Sequence, residues 1–349
     1  MATSVSGQGR DVARGLPTLL RLTALALAVA GCGGPDADPD ASRAPSAGPP
    51  AADLLRTANP YARGYTDDDF PRVQELAPGV YTYEQLRSAG DERFTTVSLF
   101  VVTSDGVLVA DGQGSVEETR RLVDHIAEIT DQPITTVVIC SDHGDHTAGN
   151  SAFPADAVFL AHPTSAANLR AGSAAAVGRE GAAPVVLPTE LVEDIRVLEM
   201  GGTEIQVLFL GRAHTGGDLM VYLPEERILF MSEAYLHRVF PAMRSAYPSE
   251  WVATIERAQA MEVDVYVPGH GFVDAPEILD EELEAFRGAL VQVIDEATRL
   301  HAQGLTLEEA QARASFGDLE RWSLRASQGA RAVQQVYAEL NGELPGARP

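Results

Sequence analysis

Lysine is absent from this 349-residue chain: all 26 basic side chains are arginine, and 50 acidic residues bring the formal net charge to −24. Without lysine there is no Schiff-base nucleophile and no ammonium anchor for a substrate carboxylate. The deficit of positive charge makes nucleic acid and anionic membrane surfaces poor partners. Cysteine is nearly absent too, with only Cys32 and Cys140. The apolar run at residues 22–30, "LTALALAVA", is too short to cross a bilayer alone. What remains is ordinary for a globular protein, 45% hydrophobic and 22% charged, and the length allows one large domain with an appendage.

Residues 1–31 read as an address rather than as structure. Arg10, Arg14 and Arg21 precede the apolar run, and "VAGC" ends at Cys32. This segment resembles a bacterial lipoprotein signal, which implies that Cys32 becomes the lipidated first residue of the mature chain. The protein is then expected to be exported and held on the periplasmic or cell-surface side of a membrane by its lipid anchor only. With Cys32 lipidated, Cys140 has no partner for an internal disulfide. Residues 32–69, rich in Pro, Ala, Asp and Ser over 33–52, are expected to form a flexible tether.

From about residue 70 the pattern changes to strands and helices. "GVYTYEQL" and "TTVSLFVVTSDGVLVADG" carry strand-like runs, the latter folded back at a Ser-Asp-Gly turn. Residues 115–130 space Leu122, Val123, Ile126 and Ile129 as one helix face behind a Ser115 cap with Glu118 three later. Strands are expected at 135–140, 156–161, 195–199, 204–210, 219–223, 227–231 and 264–267, with helices near 163–171 and 249–261. Such an order implies an α/β fold of two sheets covered by helices. Residues 276–349 read as a helical C-terminal extension, long and amphipathic at first, with Thr306 capping "LEEAQARA".

The chemistry concentrates in "VVICSDHGDHTAGNSAF" (137–153), where an apolar strand runs into His143, Asp145 and His146. Three ligand-type side chains within four positions mark a metal-binding turn. The stretch resembles the His-x-His-x-Asp-His signature of the metallo-β-lactamase superfamily, with Ser141 where the first histidine stands. "GRAHTGGD" (211–218), "MSEAYL" (231–236) and "VDVYVPGHGF" (263–272) resemble further fragments of the same family, in order and in register. The resemblance implies an αβ/βα sandwich over residues 70–275, two mixed β-sheets with helices on their outer faces.

It also implies ligands. One site would use positions 141, 143 and 214, the other Asp145, His146 and His270, and the usual bridging aspartate falls at Glu233. Serine is a weak neutral donor, so the first site retains only His143 and His214 as strong ligands. The expectation is one Zn²⁺ held tightly by Asp145, His146, His270 and Glu233, with a second weak or absent. Asp142 is expected to face outward and His162 to cap a helix, whereas His125, His237 and His301 lack a partner pattern. Cys140 is expected to pack as a small buried residue. Arg238, Arg244 and Tyr247 follow the Glu233 segment and are candidates for the pocket wall.

The implied function is a metal-dependent hydrolase in which metal-bound hydroxide attacks an amide, lactone, ester or thioester, β-lactams included, of a small-molecule substrate. Asp145 is the candidate catalytic residue, holding the metal and orienting the water. Two other classes remain open at this stage. A two-histidine, one-carboxylate set also suits iron and a sulfur or thiol oxidoreductase. The departures at Ser141 and Glu233 also suit a non-catalytic binding protein with a degenerate metal site.

Overall fold

The computed structural model describes residues 55–176 and 184–346. The expected export signal, Cys32 and the first part of the tether lie outside the described residues. Among the described residues no helix is long and apolar enough to cross a membrane.

The N-terminal half is built from β1 (Arg72–Ala77), β2 (Val80–Ala89), β3 (Glu92–Thr103), β4 (Gly106–Ala110), β5 (Ile134–Ile139), β6 (Val158–Ala161) and β7 (Glu190–Leu191). Strands β1 to β4 are antiparallel neighbours, and β4 to β7 run parallel through right-sized crossovers that include α1 (Val116–Ile129) and α3 (Pro163–Ala176). Period-two alternation decides which side chain goes where. Leu99, Val101, Leu108, Ala110, Val138 and Cys140 point into the main core, while Phe100, Val107, Val109, Val137 and Ile139 point to the other face, where Leu122 and Ile126 of α1 cover them. Helix α1 is capped as expected, the Ser115 hydroxyl accepting from the Glu118 N–H at 3.1 Å.

The C-terminal half comprises β8 (Ile195–Met200), β9 (Thr203–Leu208), β10 (Met220–Leu223), β11 (Ile228–Leu236) and β12 (Val265–His270). Its inner face closes the main core through Val207, Leu219, Val221 and Phe230. Helices α4 (Pro248–Gln259) and α5 (Pro276–Ala302) cover it, with Trp251 and Phe286 packed edge to face at 5.5 Å. The fold is the expected αβ/βα sandwich with α5, α6 (Leu307–Arg313) and α7 (Arg325–Leu340) after it. The two expected sheets are joined at one point, where His270 of β12 pairs with Thr96 of β3, so a single twelve-stranded sheet is continuous across the sandwich.

Two boundaries differ from the sequence expectation. Residues 55–69 are folded onto the domain rather than forming a tether: Ala58 is buried, Arg63 pairs with Asp274 at 2.7 Å, and Tyr65 stacks on Phe272 at 5.3 Å. A polar, proline-bearing segment has no core of its own, yet ion pairs and arginine–aromatic contacts pin it to a surface that has one. The C-terminal helices are likewise integral, since Ala332, Val333 and Val336 of α7 bury into the main core.

Candidate metal centre

Several strands end at one edge of the sandwich, and their C-terminal ends carry the polar residues of the site. Strand β5 leads through Ser141 to His143, which precedes the single turn α2 (Gly144–Thr147) bearing Asp145 and His146. Strand β11 continues past the expected residue 231 to Leu236 and so carries Glu233 on the strand itself. Strand β12 likewise extends to His270, and His214 comes from the turn between β9 and β10. Gly269 allows this convergence, because a Cβ there would meet the Ser232 carbonyl carbon at 2.4 Å.

Glu233 is the hub. Its Oε2 lies 2.9 Å from His143 Nδ1 and 2.5 Å from His214 Nδ1, and accepts from the Ser141 hydroxyl at 2.8 Å. Its Oε1 lies 3.2 Å from His270 Nε2 and 3.6 Å from His146 Nε2. Asp145 Oδ2 is 3.3 Å from His270 Nε2 and 3.5 Å from Arg87 Nε. Two donor groups result, Asp145, His146, Glu233 and His270, and His143, His214 and Glu233, each with ligand atoms within 4.8 Å of one another. Position 141 thus faces the site, but serine there holds the carboxylate, and Glu233 supplies the third donor that the missing histidine would have been.

A layer behind the donors fixes their orientation. The Asp111 carboxylate, at the end of β4, lies 3.0 Å from His146 Nδ1 through Oδ2, which also accepts from the Ser232 hydroxyl at 2.5 Å. Its Oδ1 accepts from the Cys140 N–H at 2.8 Å, so one buried side chain ties β4, β5 and β11 together. His270 Nδ1 sits 2.8 Å from the Thr95 carbonyl, which turns Nε2 toward the site. The His214 turn is closed by Asp218, whose two oxygens accept from the Thr215 N–H at 2.6 Å and hydroxyl at 2.7 Å. Burial pushes the Asp218 carboxyl up to about 6 despite these bonds.

The charges are strongly coupled. Burial would discharge His143, but the Glu233 carboxylate outweighs it and holds the imidazole up at about 9. Burial is likewise overcome at His146, by Asp111 and Glu233, and at His270, by Asp145 and Glu233, so both are raised. In the same way, burial would raise Glu233, but the charges on His214 and His143 hold it well below the usual carboxylate range. Protons on imidazoles are what balance these carboxylates, and a divalent cation supplies the same charge while releasing them. Both ring nitrogens of His146 and Nδ1 of His214 are buried without a hydrogen bond of good geometry, and His146 Nδ1 is held by its charge pair with Asp111 at 3.0 Å. Imidazole and carboxylate donors with orphaned, inward-facing nitrogens fit a metal such as zinc.

All six candidate ligands expected from sequence, His143, Asp145, His146, His214, Glu233 and His270, meet here. Asp142 faces away and accepts from the Asn168 amide at 2.8 Å. His162 accepts from the Thr164 N–H at 3.2 Å, a cap at the start of α3. Cys140 is fully buried, and burial raises its thiol well above the usual range. Of the candidate wall residues only Arg244 lines the cavity over the centre; Arg238 pairs with Glu282, and Tyr247 lies under the Arg212 guanidinium at 4.0 Å. Sequence reasoning missed Asp111, Arg87 and Arg331. A carboxylate directly after the apolar run "GVLVA" was the available signal for Asp111.

The same residues stand within a wider similarity. The sequence profile of the Metallo-beta-lactamase superfamily matches residues 91–270, a span that contains all six candidate ligands, Ser141 and Asp111. The chain is 24% identical over 249 residues to a linear primary-alkylsulfatase of Pseudomonas sp. (strain ATCC 19151), covering 59% of this chain but only 47% of that protein, about half its length. It is 24% identical over 220 residues to a metallo-beta-lactamase type 2 of Bacillus sp. (strain 170), covering 62% of this chain and 82% of that protein. In structure it is similar to a metallo-beta-lactamase from Pontibacter korlensis, with a TM-score of 0.55 and 21% identity over 62% of this chain and 98% of that one. With more than half of its sequence inside the family's profile, the sandwich fold and the donors at the strand ends, the chain belongs to the metallo-beta-lactamase superfamily.

Proposed function

We propose that the protein is a zinc-dependent hydrolase that cleaves an amide, lactone, ester or thioester of a small molecule, with β-lactams among the candidate substrates. The observation that carries this reading is the Glu233 carboxylate standing between two donor groups, one of four residues and one of three. Relatives named as an alkylsulfatase and as metallo-beta-lactamases are hydrolases and support the same class. Zinc, when bound, supplies a Lewis acid for the carbonyl and brings a water near neutrality toward its nucleophilic form.

The chain's own residues do the positioning. Asp145, His146, Glu233 and His270 would hold one ion tightly; His143, His214 and Glu233 would hold a second more weakly, with three donors of which one is shared. Asp145, flanked by His270 and Arg87, is the residue we assign to orienting the attacking water. Asp111 and the Thr95 carbonyl fix the rings of His146 and His270, so that the nitrogens facing the centre are free to ligate. Export and anchoring through Cys32 belong to the same proposal and rest on the sequence of residues 10–32.

The test joins elemental analysis of protein purified without added metal to a hydrolysis screen across β-lactams, lactones, esters and thioesters. Zinc, turnover of at least one class, and loss of both in Asp145→Ala and in His270→Ala are expected. Iron in place of zinc, or undiminished zinc and turnover in the two variants, would overturn the reading.

A further inference from the structure

The cavity over the centre, about 210 Å³, is walled partly by residues outside the donor groups. One wall is the segment after β11, which contributes Leu236, Val239 and Arg244; another is the start of α7, which contributes Leu324, Gln328 and Arg331. Leu324 is the N-cap of α7, and the spacings of four and three residues put it, Gln328 and Arg331 on one side of the helix. The buried stripe of α7, Ala332, Val333 and Val336, adjoins that side and fixes its rotation. The helix start is tied to the other wall by backbone: the Phe240 N–H donates to the Ser323 carbonyl at 2.9 Å and the Ser323 N–H to the Arg238 carbonyl at 3.2 Å. The Leu324 N–H donates to Glu92 at 2.8 Å. Arg244 and Arg331 are therefore presented to one cavity by two elements locked together.

Neither guanidinium is committed. Among the described residues Arg244 and Arg331 form no ion pair or hydrogen bond, although acidic residues outnumber arginines 50 to 26 in the chain. The acids of the cavity are taken: Glu233 by His143 and His214, and Asp145 by His270 and by Arg87, the third arginine of the wall. An uncommitted guanidinium offers a planar fork of donors that matches an oxyanion in a bidentate manner. Between donors and arginines the wall is apolar, formed by Phe94, Leu236, Val239 and Leu324. A ligand complementary to this cavity has a reactive carbonyl at the metal end, a short apolar spacer, and an oxyanion at the other end.

We propose that Arg244 and Arg331 form an oxyanion clamp, and that the substrate is a small carbonyl compound bearing a carboxylate or sulfate remote from the bond that is cleaved. The proposal deepens the hydrolase reading and rests on it. It makes α7, which lies beyond the family-matching span of residues 91–270, a determinant of specificity. Both arginines are exposed, so their replacement leaves the core intact.

The test is calorimetric titration of the zinc-loaded full chain with hexanoate and adipate, equal in carbon count and different only in the second carboxylate. The parent is expected to bind adipate about tenfold more tightly at low ionic strength, the size of a charge-assisted contact shared by two exposed arginines. Arg244→Gln and Arg331→Gln are each expected to reduce that ratio to about threefold or less. A third arm with 5-(sulfooxy)pentanoate, which keeps the four-methylene spacer of adipate, tells a carboxylate preference from a sulfate preference. A parent that binds hexanoate and adipate equally, or binds neither, overturns the clamp, as does an unchanged ratio in either variant. None of these titrations needs turnover, so a failure of every ester, lactone and β-lactam to be hydrolysed would refute the hydrolase reading separately.

Discussion

Asp111→Asn is the substitution in which a single proton's position carries the whole effect. The Asp111 carboxylate lies 3.0 Å from His146 Nδ1 and is fully buried, so this ring nitrogen carries the proton and the opposite nitrogen, Nε2, faces Glu233 and the centre. An asparagine oriented to keep accepting from the Cys140 N–H turns its amide nitrogen toward the ring. Nδ1 then has to accept, the neutral ring carries its proton on Nε2, and the nitrogen facing the centre is no longer a ligand. Loss of such an orienting partner costs roughly tenfold to a hundredfold in metal affinity, about 1 to 3 kcal/mol. The assay is a zinc titration of parent and variant against a competing chelator, with thermal unfolding of both as a check on the fold. Affinity within about twofold of the parent would refute the reasoning, because it would mean that His146 ligates without Asp111 or does not ligate at all.

Position 141 gives a second prediction. Ser141→His puts a third imidazole beside His143 and His214 and raises occupancy of the weaker site toward a second zinc per chain, at a cost of about 1 to 3 kcal/mol in stability for overfilling a fully buried position; zinc content that stays at the parent's level counts against it. The pH dependence of stability gives a third. Burial pushes the Glu84 carboxyl from 4.5 up to about 7, against the pull of Arg72 at 2.8 Å. Because the folded value is the higher one, this group favours the folded state most below the window and loses that advantage as pH rises through it, about 3 kcal/mol in all. Denaturant unfolding of parent and Glu84→Gln near pH 5 and near pH 8 isolates the effect, since other groups cancel in the double difference; a difference under about 1 kcal/mol, or of opposite sign, contradicts it.

The strands were legible wherever the residues run apolar: Val137, Val138 and Ile139, buried on both faces, announce β5, and the turn of His143, Asp145 and His146 follows at its end. The ends of β11 and β12 were less legible, because Glu233 and His270 are polar residues on buried strand ends, which a pattern of apolar runs reads as loop. Ser141 was read as a lost ligand, whereas in the structure its hydroxyl holds the carboxylate that replaces the histidine. Asp111 gave only a weak signal for a related reason, since a carboxylate after a strand is a common turn residue until its partner 35 positions later is in place. Arg331 sits on an amphipathic helix whose sequence shows only which side is buried, and Arg63 in a segment whose composition resembles a linker. In both cases the deciding information is a long-range contact, which no local period contains.

Glu233 stands in both donor groups. Native mass spectrometry of the full chain and of Glu233→Ala, purified in parallel and titrated with zinc, tests it most directly. The parent is expected to retain one zinc through buffer exchange and to take a second only at excess, and Glu233→Ala to retain none under the same conditions. A parent that takes up no zinc, or a Glu233→Ala chain that keeps the parent's full complement, would contradict it.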